Sequence, residues 1–275
     1  MNTIKFAEIL STLANLDPWL TSLGIRPNED RVHHAIEVVH QAHERWKRLR
    51  ETGLPSKIGN ADNYYFGLVE ALEFHDIFRA FKNENPGTLK PKLQRAFSGP
   101  LRPADETSKN SDGRNTMFEL ALAADLRLRG AVVSVGEPDI ELTIDEQRFL
   151  IECKRPFREE SIRANVRGAA DQLKVHLGAN AGAGGIIAIS VSRVFNPGNR
   201  LFIAPSEQDR ERLGDRLEEL MRKHERDWRT DDLHPALAAV LFHVRTPGVL
   251  ENRDLLTVMS YACLLPTGQA NEQFI

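Results

Sequence analysis

The sequence predicts an α/β fold with an α-β-β-β-α-β core and helices added in front of it. Three observations predict it. Residues 116–130 form an apolar helical stretch (Phe118, Leu120, Leu122, Leu126, Leu128) stopped by Gly130. Residues 139–154 alternate as strands do: Ile140, Leu142 and Ile144 share one face, and Asp139, Glu141 and Thr143 the other. A helix over 159–177 then leads, through a glycine-alanine loop, to the apolar run Ile186–Val194, which suits a central strand.

Before that core, Ile4, Phe6, Ile9, Leu10 and Leu13 recur at helical spacing; Pro18 is expected to interrupt the helix and Gly24 to close it. Asn28-Glu29-Asp30 opens a second helix to about Arg50, with Val32, Ile36, Val39 and Trp46 apolar. A third spans Asn63 to about Phe81. Its aromatic residues Tyr64, Tyr65, Phe66, Phe74 and Phe78 fit a packing face better than base stacking. Residues 82–115, rich in Pro, Gly and Ser, read as loop, which puts a boundary near 100–115. The expected organisation is a helical unit over 1–110 and a second domain over 111–275.

Within the second domain, Ala131–Val135 is a short strand, and Pro138 marks where the next one begins. Asp145-Glu146 is the turn of a hairpin whose return strand, Gln147–Lys154, puts Phe149, Ile151 and Cys153 on one face and Glu152 with Lys154 on the other. Ser206–Trp228 is a charged amphipathic helix with Leu213, Leu217, Leu220 and Met221 as its stripe. Ala236–Val244 and Leu255–Leu264 are the last two strands.

At 275 residues, 41% hydrophobic and 27% charged, the chain is long enough and apolar enough for a packed core. A net charge of −3 excludes a uniformly basic nucleic-acid binder, so any such contact needs a local patch. Two cysteines, Cys153 and Cys263, give no disulfide framework and fit a reducing compartment. The first residues lack the basic-then-apolar pattern of a secretory signal, and no apolar run approaches the ~20 residues of a membrane span. The expectation is a soluble, cytoplasmic protein.

The chemistry-bearing residues gather between Phe118 and Leu177. Asp139 and Glu152 lie on adjacent strands, with twelve residues between them. Such a pair can supply the one or two carboxylates that Mg²⁺ takes, with the Cys153 carbonyl as a further oxygen ligand. Lys154 projects beside Glu152, where an ammonium can stabilise charge developing on a phosphoryl group. Glu141 shares the face of Asp139 and reads as a surface residue; Glu137, just before Pro138, is a lesser candidate. His40 and His43 share a helix face, but no Cys or acidic pair nearby completes a metal site, and His75-Asp76 are adjacent on a helix and expected to point apart.

Pro138-Asp139 followed by Glu152-Cys153-Lys154 resembles the PD-(D/E)xK nuclease superfamily, over about residues 116–194. The resemblance implies a restriction-endonuclease-like fold, with a mixed central sheet flanked by helices. It also implies Mg²⁺ dependence, Mn²⁺ being the substitute, and nucleic-acid cleavage; DNA is the expected substrate, and the choice between DNA and RNA stays open. By the family pattern Asp139, Glu152 and Lys154 are catalytic, Glu119 assists the metal, and Gln172 positions nearby groups. Glu119 has a second reading, as the reaching residue of a capping box begun by Thr116.

Arg155, Arg158, Arg163, Arg167 and Lys174 form a basic run beside this motif that could track a phosphate backbone. The expected activity is that of an endonuclease; prokaryotic defence, mobile elements or repair would be its setting by resemblance alone. A homodimer would place two sites on opposed strands, and no residue identifies one. The alternatives are a catalytically inactive binding module on the same fold, and an interaction protein acting through its helical first part.

Overall fold

The hairpin predicted at Asp145-Glu146 forms the centre of one half of a sheet. In the computed structural model, which describes residues 6–26, 29–52, 62–85, 87, 89–101, 105–197, 202–228, 234–250 and 255–267, the elements run α1 (Phe6–Ser22), α2 (Glu29–Thr52), α3 (Asp62–Phe81), α4 (Leu89–Ala96), α5 (Asp112–Leu128), β1 (Val132–Val135), β2 (Ile140–Ile144), β3 (Gln147–Lys154), α6 (Ile162–Ala179), β4 (Gly184–Ser190), α7 (Ser192–Phe195), β5 (Phe202–Ala204), α8 (Glu207–His224), β6 (Leu237–Leu250) and β7 (Leu255–Pro266). β1, β2 and β3 pair antiparallel, β3, β4 and β6 parallel, and β7 antiparallel along β6. β5 pairs with the far end of β6. Because β7 occupies one edge of β6 over 239–250, β4 and β5 must share the other. The result is a seven-stranded mixed sheet.

Strand alternation sorts side chains into two cores. Ile140, Leu142, Ile151, Cys153 and Ala188 face α1 to α5. Leu150, Ile187, Ile189, Val240, Phe242 and Val244 face α6, α8 and Trp228. The expected facing of β2 and β3 is therefore observed. The helices before residue 110 do not close a separate core: Leu16, Phe74 and Phe97 belong to the same buried cluster as Phe118 and Ile151.

Several boundaries differ from expectation. α1 runs through Pro18, because Trp19 and Leu20 just beyond it are buried and packing outweighs the lost amide. The stretch read as loop over 82–115 contains α4. Pro91 is its third residue, within the first turn, where no amide hydrogen bond is needed. α5 starts four residues before Thr116. A Cβ on Gly113 would lie 2.2 Å from the Ser98 carbonyl oxygen, so a glycine there lets the first turn of α5 press against the chain leaving α4. The apolar run from Ile186 ends as strand at Ser190, and α7 follows. β5 was not expected, and β6 extends beyond Val244.

One buried ion network holds α4 in place. Arg31, with no exposed surface, donates to Glu70 and also to the carbonyls of Ala96 (2.6 Å) and Ser98 (2.7 Å). Arg114 of α5 approaches Glu70 to 3.5 Å and donates to Pro100 O. Burial favours the neutral Glu70 carboxyl, but Arg31 and then Arg114 outweigh it and lower its pKa. Removing one partner of such a network costs about 3–5 kcal/mol, because the other is left as an unpaired buried charge.

Asp145 and Glu146 both have positive φ, 47° and 68°. Two such residues closing a two-residue hairpin favour glycine at the second position. Exposed Glu146→Gly is expected to raise stability by about 0.5–1 kcal/mol by removing left-handed strain. Urea denaturation checks it, and a loss of stability contradicts this account of the turn.

Candidate active site

The register of the hairpin creates the site. Ile140, the first residue of β2, pairs with Ile151, so Asp139 just before it lies next to Glu152 and Cys153 of β3. Asp139 lies just before β2, and its Oδ2 accepts from the Cys153 amide at 2.9 Å, which fixes the carboxylate against β3.

Glu152 is 2% exposed. Burial first, then repulsion from Asp139, push its pKa up to about 7, and Lys154 only partly offsets them. The two oxygens have different surroundings. Oε2 lies 3.5 Å from Lys154 Nζ, and Lys154 also donates to Gln172 Oε1. Oε1 is buried with no hydrogen-bond partner among the described residues and sits 3.6 Å from His176 Nε2. Gln172 and His176 are four residues apart on α6, and so present one face to β3.

Glu119 does not cap a helix. Thr116 is buried inside α5, and Glu119 Oε2 accepts from Lys92 Nζ at 2.7 Å. Lys92 also lies 3.1 Å from Asp139 Oδ1. Burial, then the nearby Asp139, raise the Glu119 pKa against the pull of Lys92. Burial disfavours the Lys92 ammonium, but Glu119 and Asp139 outweigh it and raise its pKa. Lys92 therefore stands as a fixed monovalent cation between two of the three carboxylates. It comes from α4, inside the segment read as loop, and no local signal marks it.

The remaining expected residues divide. Glu141 pairs with Arg148 at the surface, in keeping with its surface reading. Glu137 joins Glu152 and His176 in the one His/carboxylate group with ion-binding spacing among the described residues. Arg158, Arg163, Arg167 and Lys174 are exposed on or beside α6; Arg163 lies 3.5 Å from Asp227. Arg155 departs from the expected substrate-facing run. It turns inward onto buried Glu106, which Arg193 also contacts at 3.2 Å, because Glu106 would otherwise be an unpaired buried charge. Exposed His40 and His43 do not converge on a ligand set among the described residues; His43 stacks on Phe6. His75 does reach Asp76, at 3.1 Å, although the two are adjacent on α3. The side chains of Trp46, Tyr64, Tyr65 and Phe66 lie outside the described residues.

A second polar cavity, of about 50 Å³, lies near the ends of β3, β4 and β6 and is lined by Glu70, Glu73, Arg114, Arg155, His243 and Arg245 among others. Burial raises the Glu73 pKa to about 7 despite Arg245. Burial also lowers His243 to about 3. This chamber joins the Arg31 network to the sheet. No protein-family model, curated protein or solved structure matches the chain.

A carboxyl whose pKa is raised on folding contributes stability that is fully present below its unfolded value, near 4.5, and is lost as pH rises through about 7. Glu152→Gln removes that loss. In chelator, the variant is expected to exceed the native protein in stability at pH 8 by about 1–3 kcal/mol, with little difference at pH 5. Glu73 titrates in the same direction, so the variant flattens the pH slope without abolishing it. Urea denaturation at the two pH values measures this; a variant no more stable at pH 8 contradicts the strained carboxyl.

Proposed function

We propose that the chain is a metal-dependent nuclease that hydrolyses phosphodiester bonds of DNA. The observation that carries this reading is that Asp139 lies beside both Glu119 of α5 and Glu152 of β3, with Lys154 3.5 Å from Glu152. Asp139 repels both Glu119 and Glu152 in this largely buried site, and a divalent cation relieves that repulsion. The orphaned Oε1 of Glu152 is an open oxygen ligand of the kind such an ion requires. The order α5-β1-β2-β3-α6-β4 supports a restriction-endonuclease-like core.

Asp139, Glu152 and the Cys153 carbonyl would hold the ion, with Glu119 assisting. Mg²⁺ is the expected ion and Mn²⁺ its substitute. The ion supplies Lewis acidity toward the phosphoryl oxygens and the nucleophile. Lys154, steadied by Gln172, places an ammonium where negative charge develops on the phosphorus centre. Arg158, Arg163, Arg167 and Lys174 offer a solvent-facing basic run along α6 for a phosphate backbone. A cytoplasmic setting suits that substrate. One observation favours the second reading, a binding module without catalysis: Lys92 already supplies one positive charge between Glu119 and Asp139.

Plasmid cleavage in Mg²⁺ or Mn²⁺ decides between them. Glu152→Ala and Lys154→Ala are each expected to lower cleavage at least ~100-fold while keeping the fold. Equal nicking by the native protein and both variants overturns the nuclease reading. Chelator-insensitive DNA binding without nicking establishes the binding module instead.

A further inference from the structure

The two sides of Glu152 are not equivalent. On one side, Lys92 bridges Glu119 and Asp139, and the Cys153 amide takes the second Asp139 oxygen. That side already has its cation. On the other side, Glu152 Oε1 is buried and unpartnered among the described residues, and it faces His176 Nε2. A carboxylate and an imidazole that bond directly sit about 2.9 Å apart. Here they are 3.6 Å apart. Two ligands about 2.1 Å from a shared tetrahedral ion are roughly 3.4 Å apart, close to that gap. Exposed Glu137 completes the group: one ligand atom from each of the three residues lies within 4.8 Å of the others. Because Glu137 is on a solvent-facing connection, its side chain can close the remaining distance.

We propose a cation position formed by Glu137, Glu152 and His176 on the α6 side of Glu152, separate from the carboxylates that Lys92 holds, and selective for a borderline divalent ion such as Mn²⁺ or Zn²⁺ over Mg²⁺. The imidazole sets the selectivity. Mg²⁺ takes oxygen ligands almost throughout, whereas a nitrogen with two carboxylates suits Mn²⁺ and Zn²⁺. The proposal rests on the proposed function only in sharing Glu152 with it. It adds a second position on the other side of Glu152, with a different ion preference.

The test uses the full chain and metal alone. Pulsed electron paramagnetic resonance of bound Mn²⁺ is expected to show coupling to an imidazole nitrogen. Calorimetry is expected to show Mn²⁺ and Zn²⁺ binding weakened at least ~10-fold by His176→Ala or Glu137→Ala and unchanged by Glu141→Gln, at a surface carboxylate paired with Arg148 outside both positions. Native protein that binds neither ion, lacks the nitrogen coupling, or binds as tightly after both substitutions overturns the proposal. The spectroscopic readout needs no variant, so a folding defect cannot obscure it. Cleavage is scored separately: binding with nitrogen coupling but no cleavage leaves the cation position standing and removes the nuclease reading.

Discussion

The interaction on which the site depends is the enforced closeness of Asp139 and Glu152. Antiparallel register puts them next to each other, and the Cys153 amide fixes one of them in place. With Glu152 almost fully out of water, the pair cannot both ionise without a nearby positive charge. The surrounding groups each answer that demand in part. Lys154 approaches one oxygen of Glu152, Lys92 approaches Asp139, and the second oxygen of Glu152 is left with no hydrogen-bond donor among the described residues.

This demand ties the helical layer to the sheet. Arg31 of α2 holds the C-terminal carbonyls of α4, and α4 delivers Lys92 to Asp139 and Glu119. Glu106, from the chain between α4 and α5, takes Arg155 and Arg193 away from solvent. The N-terminal helices thus set the charge balance of the site as well as covering one face of the sheet.

The hairpin was legible because its determinants are local, whereas β5 and the far end of β6, which among the described residues pair only with each other and with β7, were not. Alternation over 139–154 and the turn at Asp145-Glu146 specify the hairpin, and with it the juxtaposition of Asp139 and Glu152. The helix after it was equally clear, and Gln172 with it. His176 carried a usable signal that was passed over: it follows Gln172 by four residues and so shares its face. Lys92 had no such signal. Its place depends on contacts between residues 27 to 47 positions apart, and its helix begins in a segment whose prolines and glycines read as loop. Arg155 shows the converse failure: its neighbours in sequence are solvent-facing cations, but a buried carboxylate 49 residues earlier claims it. Local pattern therefore specifies strands and facing, while the pairing of buried charges is settled only by the assembled fold.

Anomalous diffraction at the manganese edge, from crystals of the native chain soaked in Mn²⁺, tests the central claim most directly. The account predicts a peak within about 2.2 Å of a Glu152 carboxylate oxygen. A fully occupied peak elsewhere, with Glu152 still lacking any cation contact beyond Lys154, contradicts it.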